Sequence, residues 1–386
     1  MSATRLLTIL LAMLTWVDLP AKPRVFIFTD INIDAGDPDD RQSLVHLFWY
    51  ADELEIAGIV PDRWEARGLE ACNAVVDAFA RDHARYRLDQ YGYPAPDHLR
   101  RLIAPDREQA IARFAAAATA SAEPLWVLVW GNMDLFGQAL REHPELISRL
   151  RVITIGTGLM YEPDLQHLPA HWEKLPPCEQ PNWNGAGRNT LWADPRFRGL
   201  WWLELNWTYN GMFSGDEPKA MFDQLAVYGA LGQHLQEVTA NEPWARYFRV
   251  GDTPSVLHVI DPRPNPEDPT RARWSGRFRQ PFPSERPHYF TDDCGAVEWD
   301  YADPCRTWAH HPRVFDHSKG TLEAERPAMY RALLDKLDRV YRLKGPPPQL
   351  GRPSAPGMKT LARAAPVRCT ERRAAARERC EWLWHF

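Results

Sequence analysis

The chain alternates. Four short apolar runs, RVFIF from Arg24, LEIAGIV from Leu54, LWVLVW from Leu125 and LRVITI from Leu150, are separated by stretches whose apolar residues recur at helical spacing. Runs of this length, rich in Val, Ile, Phe and Trp, read as strands buried on both faces. Strands joined through helices run parallel, because the crossover returns the chain to the same end of the sheet. The expected architecture is α/β: a doubly wound, mostly parallel sheet with helices on both faces. Helices are expected over about 39–52, 65–86, 106–121, 216–239 and 323–343, with one more in LFGQALREHPELISRL after the third strand. In such a sheet, ligands bind beyond the carboxyl ends of the strands.

The first of those ends is unusual. Residues 29–40 read TDINIDAGDPDD and gather Asp30, Asp34, Asp37, Asp39 and Asp40 at a strand-to-helix junction. An Asp near a helix start is favourable through capping and the helix dipole. That accounts for one or two of them, not five. Crowded carboxylates repel and need a counter-charge, and oxygen-rich sites suit calcium or magnesium. An EF-hand loop beginning at Asp30 fails, because its sixth position is Ala35, its twelfth is Arg41, and a strand precedes it. A phosphatase of the DxDxT kind fails because Asn32 stands two residues after Asp30.

The rest of the chain sets limits. With 46 basic and 51 acidic residues among 386, nothing points to a nucleic-acid polymer as partner. Arg5 followed by the apolar run from Leu6 to Val17 reads as a signal peptide over residues 1–21, and with it export to the periplasm or beyond the cell. That run is too short to span a bilayer, and no membrane span is expected in the mature chain. The main domain is expected over 23–344. A Pro-rich linker and a disordered basic tail are expected over 345–386. Cys294 and Cys305 flank a loop-like segment and are candidates to pair, whereas Cys72 sits mid-helix as a core thiol.

RVFIFTD followed by GDPDDRQS resembles the opening of the nucleoside hydrolase-like superfamily. It is most similar to a bacterial branch described as cellulose-binding protein with a nucleoside hydrolase-like domain. PLWVLVWG at 124–131, GRNTLWADP at 187–195 and GDTPS at 251–255 resemble the same branch, so the likeness runs over roughly residues 23–340. It implies a calcium ion in the pocket, bound by Asp30, Asp40 and Asp252, with Asp34 and Asp37 able to exchange roles with these. It implies Asp30 as general base and Asp39 beside the sugar hydroxyls. A backbone carbonyl near Met133 or Asp134 would complete the site. Asn184 and Asn189 match the region of sugar-binding asparagines. The chain departs from the pattern at Gly187, where a carboxylate is expected, and at Gly251, where His often stands. No leaving-group acid is assigned.

Two functions follow as expectations. One is a calcium-dependent hydrolase of N-glycosyl (ribonucleoside-like) or related glycosidic bonds. The alternative is a non-catalytic carbohydrate-binding protein that keeps the metal-and-diol pocket. The ligand is a nucleoside or a carbohydrate in either case. Aromatic rings stack on sugar faces, and Trp183 and Trp192, flanking the asparagine loop, are the candidates. Trp201, Trp202 and Trp207 are expected in the core.

Overall fold

A computed structural model of the protein describes residues 21–33, 38–156, 185–240, 245–296 and 312–341. The signal segment, Asp34, Asp37, Trp183, Asn184, Cys305 and the 345–386 tail all lie outside the described residues. Seven strands form one sheet among those residues. They are β1 (Arg24–Thr29), β2 (Glu55–Pro61), β3 (Leu125–Trp130), β4 (Leu150–Ile155), β5 (Trp201–Leu205), β6 (Phe278–Arg279) and β7 (Tyr289–Asp292), in the spatial order β2-β1-β3-β4-β5-β7-β6. All pairs are parallel except β6 with β7, which closes the far edge antiparallel.

The helices are α1 (Asp39–Trp49), α2 (Gly68–Tyr86), α3 (Pro96–Leu102), α4 (Arg107–Thr119), α5 (Asp134–Glu142), α6 (Gly187–Ala193), α7 (Glu217–Leu225), α8 (Gly229–Glu237), α9 (Pro254–Ile260), α10 (Pro312–Glu323) and α11 (Arg326–Tyr341). Strand alternation divides the core in two. Val25 and Ile27 of β1 face a core shared with α1, α2, α8 and α11, whereas Phe26 and Phe28 face one shared with α4, α5 and α6. Each fully buried aromatic or aliphatic side chain of this kind contributes roughly 1.5–3 kcal/mol. Helices therefore cover both faces, as the apolar runs require. Trp201, Trp202 and Trp207 are buried, as expected.

Several elements differ from the expected ones, each for a local reason. The helix after β3 stops at Glu142, because Pro144 has no N–H to continue it, and 3₁₀ turns carry the chain to Arg149. The expected helix over 216–239 is two helices, α7 and α8. Gly229, at φ +68°, breaks it there, and a Cβ at that position would lie 2.3 Å from Asp82 Oδ1. The turn lets Asp82 accept from the Ala230 and Leu231 backbone N–H groups at 2.6 and 2.9 Å. Residues 157–215 read as loop-rich and 262–320 show little periodicity, yet their described parts supply α6, β5, β6, β7 and most of α10.

The strand order fixes where a ligand fits. From β1 the chain steps outward to β2, then crosses back over β1 to β3 and proceeds the other way. The reversal opens a crevice at the carboxyl ends of β1 and β3. Thr29 and Trp130 are register partners there, and Thr29 also pairs with Pro61 of β2.

Candidate metal centre at the strand ends

Asp30 leaves β1 directly into this crevice, with its backbone N–H donating to the Trp130 carbonyl at 3.4 Å. Asp39 and Asp40 occupy the first turn of α1, where the helix dipole favours negative charge. Asp252 arrives from the turn before α9 and is 6% exposed. One carboxylate oxygen from each of Asp39, Asp40 and Asp252 lies within 4.8 Å of the others. A hard cation with bonds of about 2.3–2.6 Å spans about 4.6–5.2 Å from one ligand to the opposite one, so these three oxygens fit around a single ion.

The electrostatics agree with the donor set. Burial holds the Asp40 carboxyl well above the usual carboxylate range, and the charges of Asp252, Asp30 and Asp39 push it further in that direction. The Thr29 hydroxyl donates to Asp40 Oδ1 and opposes the shift. The same hydroxyl accepts from the Ile31 N–H at 3.1 Å, which fixes its orientation. Two guanidinium groups stand beside the cluster, Arg63 exposed at the rim and Arg249 largely buried. Arg63 Nη2 is 3.7 Å from Asp30 Oδ2, and Arg249 Nε is 4.0 Å from Asp39 Oδ2. Both distances exceed a direct N–H···O bond.

Asp39 belongs to the tight trio and Asp30 stands beside it, acting on Asp40 through its charge. Asp62 extends the acidic surface and was not singled out in the sequence. Its backbone N–H donates to the Thr29 carbonyl at 2.9 Å, so it follows β2 as Asp30 follows β1. Burial holds its carboxyl well above the usual range, Asp30 adds to the shift, Arg63 opposes it, and Asp134 adds again. The strand-end rule applied to IVPD would have found it. The half-buried rings of Tyr209, Phe213 and Tyr247 form a wall nearby and carried no periodic signal. Tyr209 and Phe213 have ring centroids 6.0 Å apart, Phe213 and Tyr247 6.3 Å, and the Arg249 guanidinium lies 4.7 Å over Phe213.

Packing explains both departures from the expected pattern. A Cβ at Gly251 would lie 2.9 Å from Asp39 Oδ2 and 3.4 Å from the Phe213 and Tyr209 rings, so a side chain there would displace Asp39. A Cβ at Gly187 would lie 2.3 Å from the Met133 carbonyl oxygen. The start of α6 is pressed onto the start of α5, with the Gly187 N–H donating to Asp134 Oδ1 at 2.6 Å. The Met133 carbonyl accepts from the Gly137 N–H at 2.7 Å within α5.

Two expected ligand contacts need correction. Trp192 is 5% exposed and packs on Trp202, Phe282 and Tyr289, with the guanidinium groups of Arg188 and Arg286 over its ring at 4.6 and 3.9 Å. A ring so enclosed presents no face to a sugar. Asn189 is 0% exposed in the first turn of α6, where it accepts from Arg188 Nη1 at 3.5 Å. It belongs to the interior network in which Arg188 also forks Glu204 at 2.8 and 2.9 Å.

Comparison with known proteins bears on this geometry. No curated protein matches the chain in sequence. A solved nucleoside hydrolase-related hypothetical protein from Saccharophagus degradans, associated with carbohydrate metabolism, is 20% identical, with 83% of this chain and 72% of that chain covered and a TM-score of 0.53. An inosine-uridine preferring nucleoside hydrolase from Bacillus anthracis is 14% identical over 62% of this chain and 82% of that one, with a TM-score of 0.39. A plant nucleoside hydrolase is 14% identical over 79% and 100%, with a TM-score of 0.36. At 20% identity the likeness to the first of these concerns the fold alone. Residues 24–278, well over half the chain, match the family described as cellulose-binding Sde182, nucleoside hydrolase-like domain, and the chain belongs to that family.

Proposed function

We propose that the cleft binds a calcium ion through Asp39, Asp40 and Asp252 and holds the vicinal hydroxyls of a sugar ring, in a hydrolase of N-glycosyl or related glycosidic bonds. The observation that carries this reading is the convergence of three carboxylate oxygens within 4.8 Å from two segments far apart in sequence. When bound, a cation of this type neutralises the cluster, anchors hydroxyls and acidifies a nearby water. Asp30, at the mouth of the crevice with Arg63 beside it, serves as the base that takes a proton from the attacking water. The bond being broken passes through an oxocarbenium-like state, which the carboxylates below the ring stabilise. Tyr209, Phe213 and Tyr247 offer ring faces for the sugar or its substituent.

A second reading keeps the ion and the sugar but not the turnover. Gly187 and Gly251 leave the positions of a carboxylate and a histidine without a proton donor, and this favours a carbohydrate-binding role. The export expected from the N-terminal sequence would suit a polysaccharide ligand outside the cell. The deciding experiment is a release assay on ribonucleosides and plant-cell-wall oligosaccharides, with calcium and with a chelator, on the wild type and Asp30→Asn. Hydrolysis that needs both calcium and Asp30 supports the hydrolase. Calcium-dependent binding by calorimetry with no turnover, equal in both proteins, supports the binding role. Neither binding nor turnover would overturn both readings.

A further inference from the structure

The stretches GDPDDRQS and GDTPS each contribute aspartates to the cleft, which leaves RQS and TPS without a role. The structure joins them. Gln42 Oε1, on α1 two residues past Asp40, accepts from the Arg249 backbone N–H at 2.8 Å. His46 Nδ1, one turn further along the same helix, lies 2.9 Å from Thr253 Oγ1, and that hydroxyl donates to the Val250 carbonyl at 3.0 Å. The hydroxyl has one proton, so the imidazole N–H is the donor in the His46 contact. From the sheet side, Trp130 Nε1 at the end of β3 donates to Ser255 Oγ at 2.9 Å, and Ser255 Oγ donates to the Asp252 carbonyl at 2.6 Å. Gln42, His46, Trp130, Thr253 and Ser255 are all 3% exposed or less.

We propose that Gln42, His46 and Trp130 are positioning residues that clasp the 249–255 segment between α1 and β3 and so register Asp252 against Asp39 and Asp40. The argument is geometric. Asp252 is separated from α1 by some two hundred residues of chain. Gln42 and His46 lie on the helix that carries Asp39 and Asp40, so any movement of α1 carries the Arg249 backbone and the Thr253 side chain with it. The Trp130–Ser255 pair grips the Asp252 carbonyl itself and ties it to the strand end from which the crevice opens. The clasp fixes backbone on both sides of Asp252 while its carboxylate faces the other two. Hydrogen bonds made inside a dry site hold geometry better than exposed ones, and a metal site depends on such supporting contacts for its affinity.

The consequence for calcium rests on the reading given under Proposed function, whereas the clasp itself is judged without the ion. The variants are Gln42→Met and Thr253→Val, which remove the bonds at nearly constant volume, with Thr253→Ser as the conservative control. In chelator, hydrogen exchange of the 245–256 backbone should rise at least about tenfold in the first two variants and stay at the wild-type rate in Thr253→Ser, with the β1 and β3 strands unchanged. Calcium titration by calorimetry should then show a Kd weakened about tenfold in the same two variants and restored in Thr253→Ser. Exchange unchanged in Gln42→Met and Thr253→Val would overturn the clasp. Faster exchange with an unaltered calcium Kd would overturn its positioning role. If the wild type binds no calcium, the cation reading of the cleft falls, and the exchange comparison still decides the clasp.

Discussion

Asp292 and Asp40 are both taken out of water near the carboxyl edge of the same sheet, and both are held above the usual carboxylate range by burial. Each also accepts from a Thr hydroxyl, but the rest of their surroundings differ. Asp292 accepts from the backbone N–H groups of Asn206, Trp207 and Thr208 at 2.8, 3.4 and 2.9 Å and from the Thr208 hydroxyl, and each of these bonds favours its ionised form. Asp40 receives one hydroxyl from Thr29, and its remaining influences are three further carboxylates that disfavour ionisation. A carboxylate that serves the fold is supplied with donors by the fold. A carboxylate crowded by its own kind needs a counter-charge, which the cation proposed above would supply.

The contrast can be broken most directly at Asp292. Asp292→Ala strands the donors around it, and a loss of about 3 kcal/mol or more in unfolding free energy is expected by denaturant titration, with no recovery on adding calcium. Asp40→Ala should behave in the reverse way. Without calcium it should be at least as stable as the wild type, because one of several mutually repelling charges is gone. With calcium at about a hundredfold its Kd, the wild type should gain about 2.7 kcal/mol and the variant nothing, read from thermal melts. A calcium-independent drop in Asp40→Ala as large as that of Asp292→Ala would make Asp40 a structural acid and erase the distinction. The smallest effect is expected at the rim. The Arg63 side chain is 41% exposed, so Arg63→Gln should tighten calcium binding by less than about threefold. A larger gain by calorimetry would mean that Arg63 acts inside the cluster.

What could be read from the sequence divides along the same line. The strands β1 to β4 announce themselves because each is buried on both faces and therefore almost continuously apolar. The cluster announces itself because five aspartates in twelve residues exceed what capping needs. β5 hides inside GLWWLELNW, where Trp201 and Trp202 face opposite cores and Glu204 is buried against Arg188, so no alternation shows. The break between α7 and α8 depends on Asp82, well over a hundred residues away, and no local pattern carries that. Trp192 and Asn189 misled for a related reason. Their residue types suit sugar contacts, but α6 is pinned to α5 through Gly187, and this turns both side chains inward.

The arrival of Asp252 from the far end of the domain bears on the order in which the molecule is made. Strands β1 to β4 lie within residues 24–155, and they pair with one another side by side. A nascent chain that has emerged that far already carries Asp30, Asp39 and Asp40. Asp252 follows roughly a hundred residues later, about 5–20 s at ribosomal rates of about 5–20 residues per second. During that interval the half-built crevice has neither its last carboxylate nor the segment gripped by Gln42, His46 and Trp130. On the reading proposed above, an ion could be held by the full trio only after Asp252 has emerged, so the site is assembled late in synthesis and not with the strands that open the crevice.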